Sequence, residues 1–132
     1  MKLYCKCGNC LTPILSKVTH KEAYYRIVES IEKVYGGDGV SEEEFDNSQW
    51  GVKEGTYHKW KRKSWWGKQK NVYVVNPEDL VGATLYNKSK GCCRLDHFEV
   101  KCGTCEENLG YGADDCWTDT KAVLYCTKVK VK

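Results

Sequence analysis

Long apolar runs are missing from this 132-residue sequence, and none approaches the length of a membrane-spanning helix. The first residues, MKLYCKCGNC, also lack the apolar core of a signal peptide. We therefore expect an intracellular protein, cytoplasmic or nuclear, that works in a reducing compartment and has no membrane partner. A regular alternation of strand and helix patterns is missing too, so a parallel sheet with crossover helices is not expected. The composition, 41% hydrophobic and 30% charged, is that of an ordinary soluble protein, and the length suits a single domain over 1–132.

Nine cysteines stand out against these absences, and four of them form two Cys-x-x-Cys pairs near opposite ends of the chain. The pairs are Cys7 with Cys10, in KCGNC, and Cys102 with Cys105, in KCGTC. Tetrahedral zinc takes four soft ligands at about 2.3 Å, and each pair can supply two of them from one turn. We predict that all four cysteines hold one Zn²⁺. Because four thiolates leave no open coordination position, this zinc would be structural rather than catalytic.

Other uses of the cysteines remain open from sequence alone. In CKCGNC, Cys5 could replace Cys7 as a ligand. An odd number of cysteines leaves one thiol over in any closed disulfide framework, and two local disulfides would be strained. The remaining cysteines are Cys92, Cys93, Cys116 and Cys126. We expect them to be small buried hydrophobes, and a second metal held by the first three together with one more ligand is the alternative.

Hydrophobic periodicity predicts one prominent helix. Thr19 and Glu22 form a capping-box pattern, apolar residues then recur at helical spacing, and Gly36 ends the run. This pattern predicts an amphipathic helix over residues 20–35. An acidic loop follows as far as residue 49, so the helix and the loop together form an insertion at about 19–49.

From Trp50 onward, β-branched and aromatic residues predict strands, among them NVYVV and ATLY. Asn76 and Pro77 end the first of these. The last segment, KAVLYCTKVKVK, alternates so regularly that the odd-numbered residues from Val123 to Val131 are predicted to share one face. The predicted fold class is therefore mainly β, with antiparallel sheets joined by the four-cysteine zinc site and one inserted amphipathic helix.

A basic aromatic stripe occupies residues 57–70, YHKWKRKSWWGKQK, which hold six Lys or Arg and no acid. Lysine and arginine attract phosphates, and exposed rings stack on unpaired bases for roughly 1–3 kcal/mol each. The stripe therefore predicts binding of RNA or single-stranded nucleic acid. The alternative is that its tryptophans face the core and its lysines only protect a sheet edge. The candidate binding residues are Lys59, Trp60, Lys61, Arg62, Lys63, Trp65, Trp66, Lys68 and Lys70.

Three segments resemble the zinc β-tent superfamily. The second cysteine pair continues as CGTCEENLGY, in which Leu109, Gly110 and Tyr111 resemble the residues after the second knuckle of that superfamily. CGNCLTPI is similar to its first knuckle, and VVNPEDL is similar to an NP segment of some members. The resemblance implies a β-tent fold, with antiparallel sheets joined by a four-cysteine zinc site. Residues 17–70, which include the helix and the whole stripe, have no counterpart in it.

The branches of this superfamily imply different functions. The tryptophan cage of the cereblon thalidomide-binding domain is missing near the second knuckle. The resemblance to B-type methionine sulfoxide reductases implies that Cys126 of this chain stands at the place of their nucleophilic cysteine. This chain has Leu124, Lys128 and Tyr111 where those enzymes have Arg, Asn and His. The NLGY segment is most similar to Yippee-like proteins, which implies a self-associating or partner-binding scaffold. The C-terminal domains of RIG-I-like receptors imply RNA binding through a basic face.

The preferred interpretation is a non-enzymatic, zinc-stabilised recognition module that binds RNA or single-stranded nucleic acid. A protein-interaction scaffold and a divergent methionine sulfoxide reductase are the alternatives.

Overall fold

The structure, a computed structural model, describes residues 1–35, 51–63, 69–86, 97–113 and 121–132. Its strands are β1 (Leu3–Cys5), β2 (Ser16–Lys17), β3 (Thr56–Lys63), β4 (Gln69–Val75), β5 (Ala83–Tyr86), β6 (His97–Cys102), β7 (Asn108–Ala113), β8 (Lys121–Tyr125) and β9 (Val129–Val131). One α-helix, α1 (His20–Tyr35), and one 3-10 turn (Pro77–Asp79) complete the described elements. The predicted mainly β class is confirmed.

Seven strands form one sheet, in the order β2-β3-β4-β8-β7-β6-β5. The short β2 pairs with β3 in parallel, and the other neighbours in this sheet are antiparallel. The remaining two strands, β1 and β9, pair in antiparallel register as a separate ribbon. This ribbon packs on one face of the sheet, which we call the ribbon side, because Leu3 and Val129 join the same buried cluster as Val75, Phe98 and Leu124.

Helix α1 lies on the opposite face, which we call the helix side. Ala23 of the helix is buried in a second cluster with Val72, Val74 and Val123. The helix begins where the sequence predicts, since the Glu22 N–H donates to the Thr19 hydroxyl at 3.1 Å. The predicted range 20–35 is therefore confirmed, whereas the predicted acidic loop lies outside the described residues. No helix within the described ranges is long and apolar enough to cross a membrane.

The interpretation of the last segment as one alternating face is wrong. Strand β8 ends at Tyr125, a turn follows in which the Lys128 N–H donates to the Tyr125 carbonyl at 2.9 Å, and β9 begins at Val129. Val123 consequently lies in the helix-side cluster and Val129 in the ribbon-side cluster. In the sequence, β-branched or aromatic residues recur at every second position through the turn without a break, so the pattern does not show that the chain passes from the sheet to the ribbon.

Candidate metal centre

Two turns at the end of the ribbon bring four thiols together. Cys5 ends β1 and Cys7 lies in the turn that follows it, whereas Cys102 ends β6 and Cys105 lies in the next turn. All four Sγ atoms lie within 4.8 Å of one another. The Sγ atoms of Cys5 and Cys105 are 3.5 Å apart, and those of Cys7 and Cys102 are 3.7 Å apart. Four sulfurs placed about 2.3 Å from one tetrahedral ion would be about 3.8 Å apart. This group can hold a metal ion and is compatible with a zinc site.

The group differs from the predicted ligand set in one residue, because Cys5 stands where Cys10 was expected. The Cys10 thiol donates instead to the Thr12 carbonyl at 3.2 Å. Cys10 forms an antiparallel bridge opposite Tyr4, and residues that face each other across such a bridge point to the same side. Since Tyr4 and Cys5 are neighbours on β1, their side chains point to opposite sides. The pairing that places Cys10 beside Tyr4 therefore turns it away from Cys5 and the other thiols.

Each turn is closed by backbone hydrogen bonds around its first cysteine. The Cys5 N–H donates to the Asn9 carbonyl at 2.9 Å, and the Cys102 N–H donates to the Glu107 carbonyl at 2.9 Å. The residue after the second cysteine has positive φ in both turns, 97° at Gly8 and 61° at Glu106. Both turns are thus closed by the same kind of backbone hydrogen bond, and both have a residue with positive φ after the second cysteine. They differ in the number of residues between the cysteines.

Gly82, just before β5, connects the two turns, and sequence reasoning missed it. Its N–H donates to the Leu11 carbonyl at 3.0 Å, and its carbonyl accepts from the Gly103 N–H at 3.0 Å. The same carbonyl accepts from the Asn9 side-chain amide at 2.9 Å. A Cβ at position 82 would overlap the backbone carbonyl of Cys10, so the close approach of the first turn requires glycine. No local sequence signal reveals this role, because every partner is distant in the chain.

The four thiols differ in burial and in proton affinity. Cys5 and Cys102 are 2% and 1% exposed, whereas Cys7 and Cys105 are exposed. Burial raises the pKa of the Cys5 thiol to about 12. At Cys102 burial also acts to raise the pKa, but hydrogen bonds from the backbone of Cys105 and Thr104 and from Asn9 outweigh it, and the pKa falls to about 6. The hydrogen bonds that Cys102 Sγ accepts from Asn9 and from the Thr104 N–H therefore favour its thiolate form, which is the form that binds a metal.

Two lysines lie beside the thiols. Lys6 and Lys128 line an open cleft together with Cys5, Cys7, Cys105, Glu107 and Thr127. The Lys128 ammonium donates to the Glu107 carboxylate at 2.7 Å. Because four thiolates on a divalent ion leave two negative charges in excess, positive charge in this cleft offsets the charge of a loaded centre.

The described parts of the basic aromatic stripe lie on β3 and at the start of β4, whose antiparallel pairing makes them the two arms of a hairpin. Lys59 is exposed, with its ammonium 6.0 Å from the ring centre of Tyr73. The register pairs Trp60 with Val72, a helix-side position, whereas positions 59, 61 and 63 fall on the ribbon side with Tyr57. Strand pairing places Lys61, Arg62, Lys63 and Lys70 along the two arms of the hairpin. The remaining predicted binding residues, Trp65, Trp66 and Lys68, lie outside the described residues.

The residues that carry the superfamily resemblance have clear structural roles. Leu109 is fully buried, and Gly110 approaches the Val123 carbonyl so closely that a Cβ there would overlap it. Cys126, predicted to be a small buried hydrophobe, is half-buried, and Cys92, Cys93 and Cys116 lie outside the described residues. Comparisons with protein-family models, with curated proteins and with solved structures find no match to this chain.

Proposed function

We propose that this protein is a non-enzymatic recognition module of the zinc β-tent type, which binds RNA or single-stranded nucleic acid through its basic hairpin. The four-cysteine group is the observation that carries the zinc part of the proposal. Thiolates are the soft ligands that zinc favours, and sulfur separations of 3.5 and 3.7 Å suit a tetrahedral ion. Four protein ligands would fill the coordination sphere and leave the ion no position for a substrate.

The position of the group in the fold supports a structural role for the metal. Cys5 and Cys105 are 100 residues apart, so a shared ion closes most of the chain into one loop. Because the site joins the ribbon to the sheet, metal binding contributes directly to the free energy of folding. The large loop increases this contribution, since it would be costly in entropy to close without a link.

The surroundings of Cys126 support a binding role rather than thiol chemistry. Burial raises the pKa of this thiol, and the opposing influences of Lys59 and Tyr73 are smaller. A cysteine nucleophile needs the reverse, a lowered pKa that provides thiolate at neutral pH. At the position where the related reductases have an arginine, this chain has Leu124, which is fully buried.

The hairpin supports the choice of ligand. Lysines occupy positions 59, 61 and 63 of β3. Because side chains alternate along a strand, these three positions fall on the same side of the sheet. Lys59 extends over the Tyr73 ring and remains exposed, so a charge and an aromatic ring are presented together. Positive charge for phosphates and ring faces for bases are the two contacts that single-stranded nucleic acid offers.

Metal analysis tests the zinc part of this proposal. We expect one zinc per chain in protein purified without added metal, and loss of cooperative thermal unfolding after treatment with a strong chelator. Restoration by zinc but not by magnesium would confirm that the site selects a soft-ligand metal. Protein that contains no metal and unfolds identically with and without chelator would overturn the proposal.

Binding to fluorescein-labelled oligouridylate over a series of salt concentrations tests the ligand. Each phosphate contact with a single strand contributes about 0.7 to the slope of log affinity against log salt. We therefore expect the double variant Lys59→Gln, Lys61→Gln to lower this slope by about 1.4. The matched control is Lys21→Gln, Lys53→Gln, which removes two exposed lysines outside the stripe. Absence of binding, together with concentration-dependent self-association, would instead favour a protein-interaction scaffold.

A further inference from the structure

The ribbon has one buried face and one outer face. Leu3, Cys5 and Val129 point inward and are at most 5% exposed. Since side chains alternate along a strand, the residues between and beside them point outward. The outward residues are Lys2, Tyr4, Lys130 and Lys132, and we call this set the ribbon face.

The ribbon face brings lysines from the two ends of the chain directly opposite one another. Lys2 and Lys132 exchange two backbone hydrogen bonds, of 2.7 and 3.0 Å, and Lys130 is the partner of Tyr4. The Lys132 ammonium lies 5.4 Å from the ring centre of Tyr4. Like charges that face each other across two strands destabilise the pairing, so this arrangement does not contribute to folding through its charges.

Acidic partners for these lysines do not occur among the residues that the structure describes. Within those ranges no carboxylate lies within ion-pair distance of Lys2, Lys130 or Lys132. Lys128 differs, because it pairs with Glu107 and lines the cleft beside the cysteine thiols. The charge of Lys128 is therefore explained by the metal centre, whereas no carboxylate of the described residues accounts for the charge of the ribbon face.

The ribbon face lies on the same side of the sheet as Lys59 and positions 61 and 63 of β3. The Tyr57 hydroxyl donates to the Met1 Sδ atom at 3.1 Å, which joins the start of β3 to the start of the ribbon. Tyr57 and Lys59 are two residues apart on β3 and therefore point to the same side. An extended polyanion that runs along β3 could reach the ribbon without passing round the edge of the sheet.

We propose that the ribbon face is a second phosphate-binding surface, which contacts the same single strand as the hairpin. Along a strand, Lys130 and Lys132 are about 7 Å apart, so the face extends beyond a single phosphate group. The inference rests on the proposed function, since it concerns the same ligand. The ligand is a nucleic acid rather than a lipid surface, because Tyr4 lies among these lysines and Lys59 of the adjoining hairpin likewise lies over the ring of Tyr73.

The test compares two double variants in the oligouridylate assay. Lys2→Gln, Lys130→Gln is expected to lower the salt slope by about 1.4, as the hairpin variant does, while the control Lys21→Gln, Lys53→Gln leaves it unchanged. Circular dichroism and zinc content show whether each variant is folded. Should the Lys2 variant fail to fold, Lys130→Gln, Lys132→Gln replaces it with the same expected change.

Amine acetylation of the unmodified protein provides an independent measurement. We expect oligouridylate to protect Lys2 and Lys130 from acetylation, as read by mass spectrometry, and to leave Lys21 and Lys53 reactive. A wild-type slope in the ribbon variant, combined with a lowered slope in the hairpin variant, would overturn the ribbon proposal and leave the proposed function intact. Absence of oligouridylate binding by the wild-type protein would overturn both. Binding to phosphatidylserine vesicles that is lost in the ribbon variant, with oligouridylate binding unchanged, would assign the face to a membrane instead.

Discussion

The two cysteine turns build equivalent halves of one site from different spacings. In each turn the first cysteine is the last residue of a strand and is buried, as with Cys5 in β1 and Cys102 in β6. In each, the second cysteine is exposed on the turn, as with Cys7 and Cys105. One residue separates the pair in the first turn and two separate it in the second. The equivalence therefore lies in the strand end and the closing hydrogen bond, not in the number of residues between ligands.

The difference in spacing appears again in the residue that follows. At Gly8 φ is 97°, which lies outside the small left-handed region open to residues with a side chain. At Glu106 φ is 61°, which lies inside that region. The shorter turn therefore needs glycine to close, whereas the longer turn tolerates a glutamate.

The largest expected difference in zinc content and stability is between a variant of Cys5, which belongs to the group, and a variant of Cys10, which does not. We expect Cys5→Ser to lose zinc at stoichiometric concentrations, together with a folding contribution on the order of 10 kcal/mol. Cys10→Ser should keep one zinc per chain and change stability by less than about 1 kcal/mol, because a hydroxyl can also donate to the Thr12 carbonyl.

Zinc stoichiometry is the deciding measurement for this pair, since burial of a serine hydroxyl at position 5 could destabilise the fold by itself. Cys7→Ser provides a positive control, because this exposed cysteine belongs both to the group in the structure and to the set predicted from Cys-x-x-Cys spacing. If Cys10→Ser released the metal while Cys5→Ser retained it, the ligand set predicted from spacing would be the correct one.

The connection between the turns can be broken without touching a ligand. We expect Gly82→Ala to lower stability by about 2–4 kcal/mol and to weaken zinc binding, because the added Cβ overlaps the Cys10 carbonyl and pushes the first turn away. Gly55→Ala is the control. This glycine has φ of 80° and open space around it, so its replacement should lower stability by about 1–2 kcal/mol through backbone strain alone.

Competition with a zinc-binding dye distinguishes the two glycine variants. An unchanged zinc affinity in folded Gly82→Ala protein would show that Gly82 supports the sheet but does not align the turns. If Gly55→Ala and Gly82→Ala lost the same amount of zinc affinity, that affinity would depend only on the overall stability of the fold and not on the alignment of the two turns.

Sequence patterns predicted the elements whose signals are local. The bounds of α1 follow from Thr19, the apolar periodicity and the two glycines after Tyr35, and the structure confirms them. The strand predicted over ATLY is β5, and NVYVV lies within β4. Cys102 and Cys105 also follow from spacing, since a Cys-x-x-Cys pair can close a metal turn in its own right. Cys7 belongs to the group as predicted, but with Cys5 rather than Cys10 beside it in the turn.

The remaining features depend on contacts that the sequence does not display. Cys5 is favoured over Cys10 by a bridge between Tyr4 and Cys10, which becomes visible only once the three-residue strand β1 is located. The break between β8 and β9 contains neither glycine nor proline, so alternation continues across it. In the sequence Gly82 has the pattern of an ordinary turn residue. Its role depends on hydrogen bonds to Leu11 and Gly103, which are distant in the chain.

The smallest expected difference in stability comes from variants of the two residues with positive φ, Gly8 in the first turn and Glu106 in the second. In zinc-loaded protein we expect Gly8→Ala to lower the free energy of unfolding by about 1–2 kcal/mol, because alanine is strained at φ of 97°. Glu106→Gly should change it by less than about 0.5 kcal/mol, since relief of the left-handed conformation is offset by the greater freedom of glycine in the unfolded chain. Glu106→Ala separates the effect of the charge from that of the backbone. Denaturant midpoints at saturating zinc measure all three variants, and equal losses in Gly8→Ala and Glu106→Ala would show that the shorter turn has no special need for glycine.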